Sequence, residues 1–261
     1  MRRMIWQTIN NKVRRAFTNA ADQYEVLATL HREIGRELIK KVVDQDCSAI
    51  LDVGTGTGYL ARKAKFFFPE AMVVGLDFSD GMIQQARKSE EHIEWILADA
   101  TGLPFKPHTF DVVVSNLAYQ WVKNLNGAFK LSHQVLKDDG IFCSTLFGYN
   151  TLNELFATLA ACGTQPHSFR RLAARENIEA ALRSAGFREI KVDYELIKIE
   201  FSDVRNLLKW LKAIGANVLN NEIFIGREFL ARVDEYYRKH FPYHQGIAAS
   251  FEVVWIFAKK G

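Results

Sequence analysis

The first half of the chain alternates short, almost continuously apolar runs with segments of helical period, and few architectures accommodate that alternation. Ala49-Ile50-Leu51-Asp52-Val53 precedes a predicted helix from Thr57 to Phe68, and Met72-Val73-Val74-Gly75-Leu76-Asp77 precedes another from Ser79 to Lys88. Apolar runs at Ile93 to Leu97 and Phe110 to Ser115 follow, then a predicted helix from Asn124 to Leu136 and a strand from Ile141 to Leu146. Strands without a polar face must be covered on both sides. That calls for a mostly parallel sheet with helices above and below it, a doubly wound α/β domain.

Beyond residue 150 the pattern changes. Arg175 to Ala185 carries Ile178, Ala181, Leu182 and Ala185 on one helical face, ahead of the C-terminal cap Gly186. Phe187 to Ile199 reads as a strand. Ser202 reads as the cap of a helix whose stripe is Val204, Leu207, Leu208 and Leu211. Arg227 to His240 reads as a further helix and Ala249 to Ala258 as the final strand. Roughly fifty residues between the last two strands exceed what a hairpin needs, so 200–248 is a helical, lid-like insertion. Ahead of the sheet, one predicted helix from Asp22 to Val43 carries Leu27, Leu30, Ile34, Leu38 and Ile39 in a stripe. It makes 1–46 a helical cover over the edge where ligands bind, with 47–150 as the ligand-binding core of a single domain, 1–261.

Charge and cysteine usage exclude several classes. The 34 Lys+Arg against 30 Asp+Glu, net +4, are too evenly scattered to argue for nucleic acid. No apolar run approaches the roughly 20 residues of a membrane span. The basic start, Met1 to Thr8, lacks the apolar stretch of a signal peptide, and the cytoplasm is the expected compartment. Cys47, Cys143 and Cys162 are far apart in the chain and read as buried thiols in a reducing compartment. There is no HExxH, and Pro242 separates His240 from His244, so no metal site is expected.

The sharpest local signal is Asp52-Val53-Gly54-Thr55-Gly56-Thr57-Gly58, directly after a strand and opening a helix. Glycines let the backbone approach a ligand, and the helix start offers free N–H groups to an anion. The spacing is GxGxG, and Tyr59 stands where a dinucleotide fingerprint has its third glycine. Asp77, ending the second strand, is placed to accept from two ribose hydroxyls. Asp99, with Ala100, ends the third and can reach an exocyclic adenine amine. Ser79-Asp80-Gly81-Met82 lets Met82 lie against a purine face. A carboxylate, a ribose and an adenine without a pyrophosphate describe S-adenosyl-L-methionine (SAM).

These residues resemble the class I SAM-dependent methyltransferases over Asp52 to Leu146. The resemblance implies a Rossmann-like, seven-stranded sheet with an antiparallel last strand. It assigns the glycine loop to the methionine end of SAM, Asp77 to the ribose, and Asp99 and Ala100 to the adenine; Phe78, Asn116 and Leu117 join that cofactor set. Lys137-Asp138-Asp139-Gly140 departs from the family's Pro-Gly turn before strand five, remote from SAM. A narrower likeness covers most of the chain. Phe17-Thr18-Asn19-Ala20-Ala21-Asp22-Gln23-Tyr24 with Leu30-His31-Arg32 is similar to the N-terminal segment of the malonyl-acyl carrier protein O-methyltransferases of biotin synthesis. So are Ser115 to Trp121, Ser144-Thr145-Leu146 with Leu152-Asn153-Glu154-Leu155, Pro166-His167-Ser168-Phe169-Arg170, and Leu211 to Asn217. That resemblance implies methyl-ester formation on the free carboxylate of malonyl-acyl carrier protein.

The residues suit such chemistry. Carboxylates ionise near pH 4, so no general base is required and the work is orientation. Arg170 is the candidate carboxylate clamp, with His167 beside it as a substrate-positioning group. Tyr24, on the segment over the SAM pocket, could meet the methionine carboxylate or the substrate. Gln120 and Trp121 are predicted to wall the acceptor side. An acidic carrier protein calls for a basic surface, met by Arg170, Arg171, Arg175, Arg183 and Arg188 and by Arg205, Lys209 and Lys212; the alternative is a solvated basic face. Rival readings are a methyltransferase of a small free acid such as trans-aconitate, one acting on a quinone-like ring, and a SAM-binding protein without transfer activity.

Overall fold

The computed structural model describes residues 2–89, 91–163, 172–216 and 226–261. Five parallel strands form its centre: β1 (Ala49–Val53), β2 (Met72–Asp77), β3 (Glu94–Leu97), β4 (Phe110–Asn116) and β5 (Leu136–Phe147). β6 (Phe187–Phe201) and β8 (Gly246–Lys260) complete a path β3-β2-β1-β4-β5-β8-β6, with β8 antiparallel to both its neighbours. These are the seven expected strands with the expected antiparallel last one. An eighth, the two-residue β7 (Pro242–Tyr243), pairs with the start of β8.

Apolar runs with no polar face arise because alternate residues feed two cores. Leu51, Val53, Leu76, Val113 and Phe142 join a core with α5 (Leu125–Val135) and α7 (Arg175–Ala185). Ile50, Val73, Val112, Ile141 and Cys143 pack on the other face against α3 (Tyr59–Phe67) and the N-terminal helix containing Leu38 and Ile39. At roughly 25 cal/mol per Å² of apolar surface removed from water, the two faces supply most of the drive to fold. The order reverses between β1 and β4, and the crevice outside their carboxyl ends is where an open α/β sheet takes a ligand.

A third apolar layer closes the far half of that edge. α6 (Asn153–Ala161), α8 (Val204–Ala213) and α9 (Arg227–His240) bring Leu155, Leu207, Leu211, Val233 and Tyr237 onto Phe147, Phe251 and Val253. The insertion therefore contains the two expected helices, while α6 is additional to the sequence reading.

Four expectations need correction. Of the three cysteines only Cys143 is buried, and Cys47 and Cys162 are partly exposed. The single helix predicted from Asp22 to Val43 is two: α1 (Arg2–Leu27) and α2 (Thr29–Lys40), broken at Ala28, whose ψ of 41° leaves the helical region. The stripe of α1 is Val13, Phe17 and Tyr24, diluted by Arg14, Arg15, Thr18 and Asn19, which hid its period. The cap of α8 is Asp203, whose carboxylate accepts from Asn206 N at 2.7 Å, and not Ser202. β5 begins at Leu136 rather than Ile141, because Lys137 to Gly140 form an irregularity within the strand, with Asp139 at φ 60°, instead of a turn before it.

Candidate active site

The glycine turn joins β1 to α3 under tension from its neighbours. Gly54 N and Thr55 N both donate to Leu76 O, at 2.7 and 2.9 Å, so the turn is fused to β2. Gly54 has φ 73°, and a Cβ there would lie 2.2 Å from the Ala118 Cβ. Gly56 has φ 57°, but its missing Cβ would meet only the edge of the Tyr24 ring, at 4.0 Å. Backbone strain thus excludes a side chain from Gly54 and Gly56 alike, but only at Gly56 does the vacated space open into a hollow. Gly58 lies against Trp95 at the start of α3 and lines neither hollow described below.

Two hollows of about 460 and 780 Å³ share Tyr24, Gly54, Gly56 and Asn116 and form one cleft. Asp52 lines the smaller. It is 1% exposed; Oδ2 accepts from Thr55 Oγ1 at 2.6 Å and Oδ1 has no hydrogen-bond partner. Burial pushes its pKa up to about 7. Asp77 lines the larger. Its Oδ2 accepts from Gly56 N at 2.9 Å and its Oδ1 from Ser79 N at 2.8 Å, so one carboxylate braces the glycine turn and the start of α4 (Asp80–Ala86) together. Burial raises its pKa to about 6 against those two N–H bonds. Each carboxylate oxygen retains acceptor capacity toward the cleft. Phe78, Met82, Asp99 and Ala100 line the same hollow, with Asp99 Oδ1 held by Thr101 N and Oγ1 at 2.8 and 2.7 Å.

The opposite wall comes from β4. Asn116 faces both hollows; its amide donates to His31 O and accepts from Thr145 Oγ1, each at 2.8 Å, tying α2, β4 and β5 together. Leu117 takes a left-handed φ of 52°, a conformation costly for a branched side chain and found at ligand sites. Gln120 Nε2 donates to Leu117 O at 2.7 Å. Gln120 therefore braces this strained residue and lines neither hollow, whereas Trp121 lines the larger and packs edge-on to Phe17 at 5.3 Å.

α1 roofs the cleft. Thr18 Oγ1 lies 3.0 Å from Ser79 Oγ, Glu25 pairs with Arg62, and Arg62 Nη1 donates to Thr57 O at 2.7 Å. Trp210 Nε1 of α8 donates to Leu27 O at 3.1 Å, joining the roof to the helical insertion. Tyr24 lines both hollows, and burial with the nearby Asp77 raises its phenol pKa, so it stays protonated.

Arg170 and His167 lie outside the described residues. Arg171 also lies outside them. Arg175 and Arg183 both pair with Glu179, at 3.2 and 2.7 Å, and Arg188 pairs in register with Lys259 at the end of the sheet away from the cleft. Arg205, Lys209 and Lys212 are exposed along one side of α8. Among the described residues no group of three His, Cys, Asp or Glu could hold a metal ion, and no helix is long and apolar enough to cross a membrane.

Sequence reasoning missed Phe17, His31 and the Glu25–Arg62 latch. Phe17, seven residues before Tyr24 on the same helix, could have been found from that spacing, whereas His31 lies beyond the break at Ala28 and carries no such signal.

Residues 51–144 match the family model described as a methyltransferase domain. The chain is 33% identical over 264 residues to the malonyl-[acyl-carrier protein] O-methyltransferase of Geobacter sulfurreducens, covering 95% of this chain and 98% of that one. It is 34% identical over 251 residues to the enzyme of the same name from Hahella chejuensis, covering 93% and 88%. Among solved structures, YcgJ of Bacillus subtilis superposes with a TM-score of 0.62 at 18% identity, over 87% of this chain and 97% of that one. Phosphoethanolamine N-methyltransferase 2 of Haemonchus contortus, solved with S-adenosyl-L-methionine, gives 0.56 at 22% identity, over 87% and 52%. The structural likenesses show the fold, and the full-length relatives show the family: the chain belongs to the malonyl-[acyl-carrier protein] O-methyltransferases.

Proposed function

We propose that this protein is a SAM-dependent O-methyltransferase that esterifies the free carboxylate of malonyl-acyl carrier protein in biotin synthesis, in the cytoplasm. The observation that carries the reading is the likeness to malonyl-[acyl-carrier protein] O-methyltransferases over almost the whole of both chains. The cleft supports the donor half. A buried carboxylate oxygen without a partner, Asp52 Oδ1, suits an ammonium group. Asp77, with acceptor capacity at both oxygens, suits paired ribose hydroxyls, and the floor of Phe78, Met82, Ala98, Ala100 and Leu117 beside Asp99 suits an adenine.

Bound SAM supplies a sulfonium methyl: the carboxylate lone pair forms the new C–O bond while the C–S pair stays on sulfur, giving a methyl ester and a neutral thioether with no proton released. The protein therefore has no proton to move. Asp77 would hold the ribose and the glycine turn the methionine end, Asn116 and Leu117 would wall the cleft on the β4 side, and Tyr24, Phe17 and Trp121 would keep water out. Arg170 and His167 clamp the acceptor carboxylate, and alignment supplies most of the acceleration. The segment 1–46 acts as the cover, 47–150 as the SAM core and 200–248 as the lid-like insertion. No nucleic acid or membrane takes part.

The test is mass spectrometry of malonyl-acyl carrier protein incubated with the enzyme and SAM. A gain of one methyl, absent with acetyl-acyl carrier protein, is expected. Methylation of a free dicarboxylic acid in its place would overturn the choice of acceptor.

A further inference from the structure

His31 is a half-buried titratable residue that the mechanism above does not use. It stands on α2, edge-on to Tyr24 at 5.8 Å on one side and to Phe147 at 5.9 Å on the other. Its carbonyl oxygen is held by Asn116 Nδ2 at 2.8 Å, which fixes where the ring hangs. Nδ1 is shut off from solvent with no hydrogen-bond partner, and the ring lines the smaller hollow of the cleft. Burial pushes its pKa down to about 4, so the imidazole is neutral, with one N–H to give.

Its two ring neighbours belong to different halves of the molecule. Tyr24 lines the donor cleft, while Phe147 ends β5 and belongs to the apolar layer of α6, α8 and α9. His31 therefore stands at the seam between the cleft and that apolar layer. The same hollow holds a second unpartnered polar atom, Asp52 Oδ1, which repels a carboxylate and takes a cation. The hollow thus has an acceptor-only end and a neutral end able to donate.

We propose that His31 contacts the methyl acceptor, its imidazole N–H donating to one oxygen of the incoming carboxylate. The inference rests on the carboxyl-methylating reading. A neutral donor orients the carboxylate without withdrawing charge from the attacking oxygen as strongly as a second cation would.

The experiment compares His31→Phe, which keeps a ring between Tyr24 and Phe147, with His31→Asn, which keeps a donor. S-adenosylhomocysteine binding by calorimetry, melting temperature and steady-state kinetics on malonyl-acyl carrier protein are read for each. His31→Phe is expected to bind S-adenosylhomocysteine within about twofold of the parent protein and to lose about 10- to 100-fold in kcat/KM for the acceptor. His31→Asn is expected to regain part of that loss. If the phenylalanine variant instead loses S-adenosylhomocysteine affinity by the same factor, His31 serves the donor and the proposal is wrong. Unchanged kcat/KM overturns it equally. A parent protein that binds S-adenosylhomocysteine but transfers no methyl to the malonyl carrier overturns the functional reading, and this inference with it.

Discussion

The two halves of the ligand edge are built on opposite principles. The donor half, at the ends of β1, β2 and β4, buries ionisable and hydroxyl groups: Asp52, Thr55, Thr57, Asp77, Ser79 and Ser115 are all under 9% exposed. The acceptor half, roofed by α6, α8 and α9, is closed by Leu155, Leu207, Leu211, Val233 and Phe251. One half spends stability to hold polar groups ready on rigid strand ends. The other is an apolar layer joined to it through Trp210 and Leu27. On the proposed function, donor recognition would reside in the sheet, whereas acceptor recognition would depend on how these helices meet over it.

The most severe break of the donor half is Asp77→Ala. It removes the acceptor for two ribose hydroxyls and the brace shared by Gly56 N and Ser79 N. S-adenosylhomocysteine affinity is expected to fall about 100- to 10,000-fold, two charge-assisted hydrogen bonds being worth about 1.5–3 kcal/mol each. Calorimetry measures it, with circular dichroism to establish that the variant folds. The counterpart in the acceptor half is Arg170→Ala. Loss of a carboxylate clamp worth about 3 kcal/mol lowers kcat/KM about 100-fold while leaving S-adenosylhomocysteine affinity near that of the parent. Normal turnover in that variant would remove Arg170 from the site.

The same contrast decides how much could be read in advance. The donor half was legible because its signals are local: a glycine turn fused to a strand, and an acid at the end of each of β2 and β3. Packing on both faces also made the strands legible, since Ile50 and Leu51 had to serve different cores. The acceptor half was less so. α6 carries no cap signal, with Leu152 left-handed at its start and no side-chain cap bond. The break at Ala28 has neither proline nor glycine to announce it, and only the packing of α1 on α4 and α8 reveals it. His31 enters the cleft because Asn116, 85 residues away, holds its carbonyl. Periodicity along one helix cannot express that relation.

Asp52 sharpens the comparison by showing what readiness costs. An acid whose pKa rises on folding, here to about 7, destabilises the fold once ionised. The loss is absent below about pH 4 and complete above about pH 7. Asp52→Asn should therefore melt above the parent protein at pH 8 and converge with it toward pH 4. The gain is bounded at about 4 kcal/mol. On the proposed function ionised Asp52 would also pair with the donor's ammonium, so parent affinity for S-adenosylhomocysteine should rise as pH climbs through about 7. The asparagine variant should lose that dependence and about tenfold in affinity at pH 8. Scanning calorimetry and titrations at pH 6 and 8 read both effects. A variant that is less stable at pH 8 would mean that Asp52 Oδ1 is compensated in the folded protein.

The smallest expected effect concerns where the acidic carrier sits. Arg183 is half neutralised by Glu179, and Arg188 faces the end of the sheet away from the cleft. Arg205, Lys209 and Lys212 are exposed on the helix that contacts the roof through Trp210. A carrier delivering an acyl chain into the cleft must dock near its mouth, which favours α8. Lys209→Glu with Lys212→Glu should raise KM for malonyl-acyl carrier protein about three- to tenfold at low ionic strength. The difference should vanish near 0.5 M salt, where the screening length falls to about 4 Å. Arg183→Glu with Arg188→Glu should change KM by less than about twofold. If the second pair carries the larger effect, the carrier docks against α7, and its acyl chain would have to enter from the sheet side, past Tyr194, instead of beneath the helical insertion.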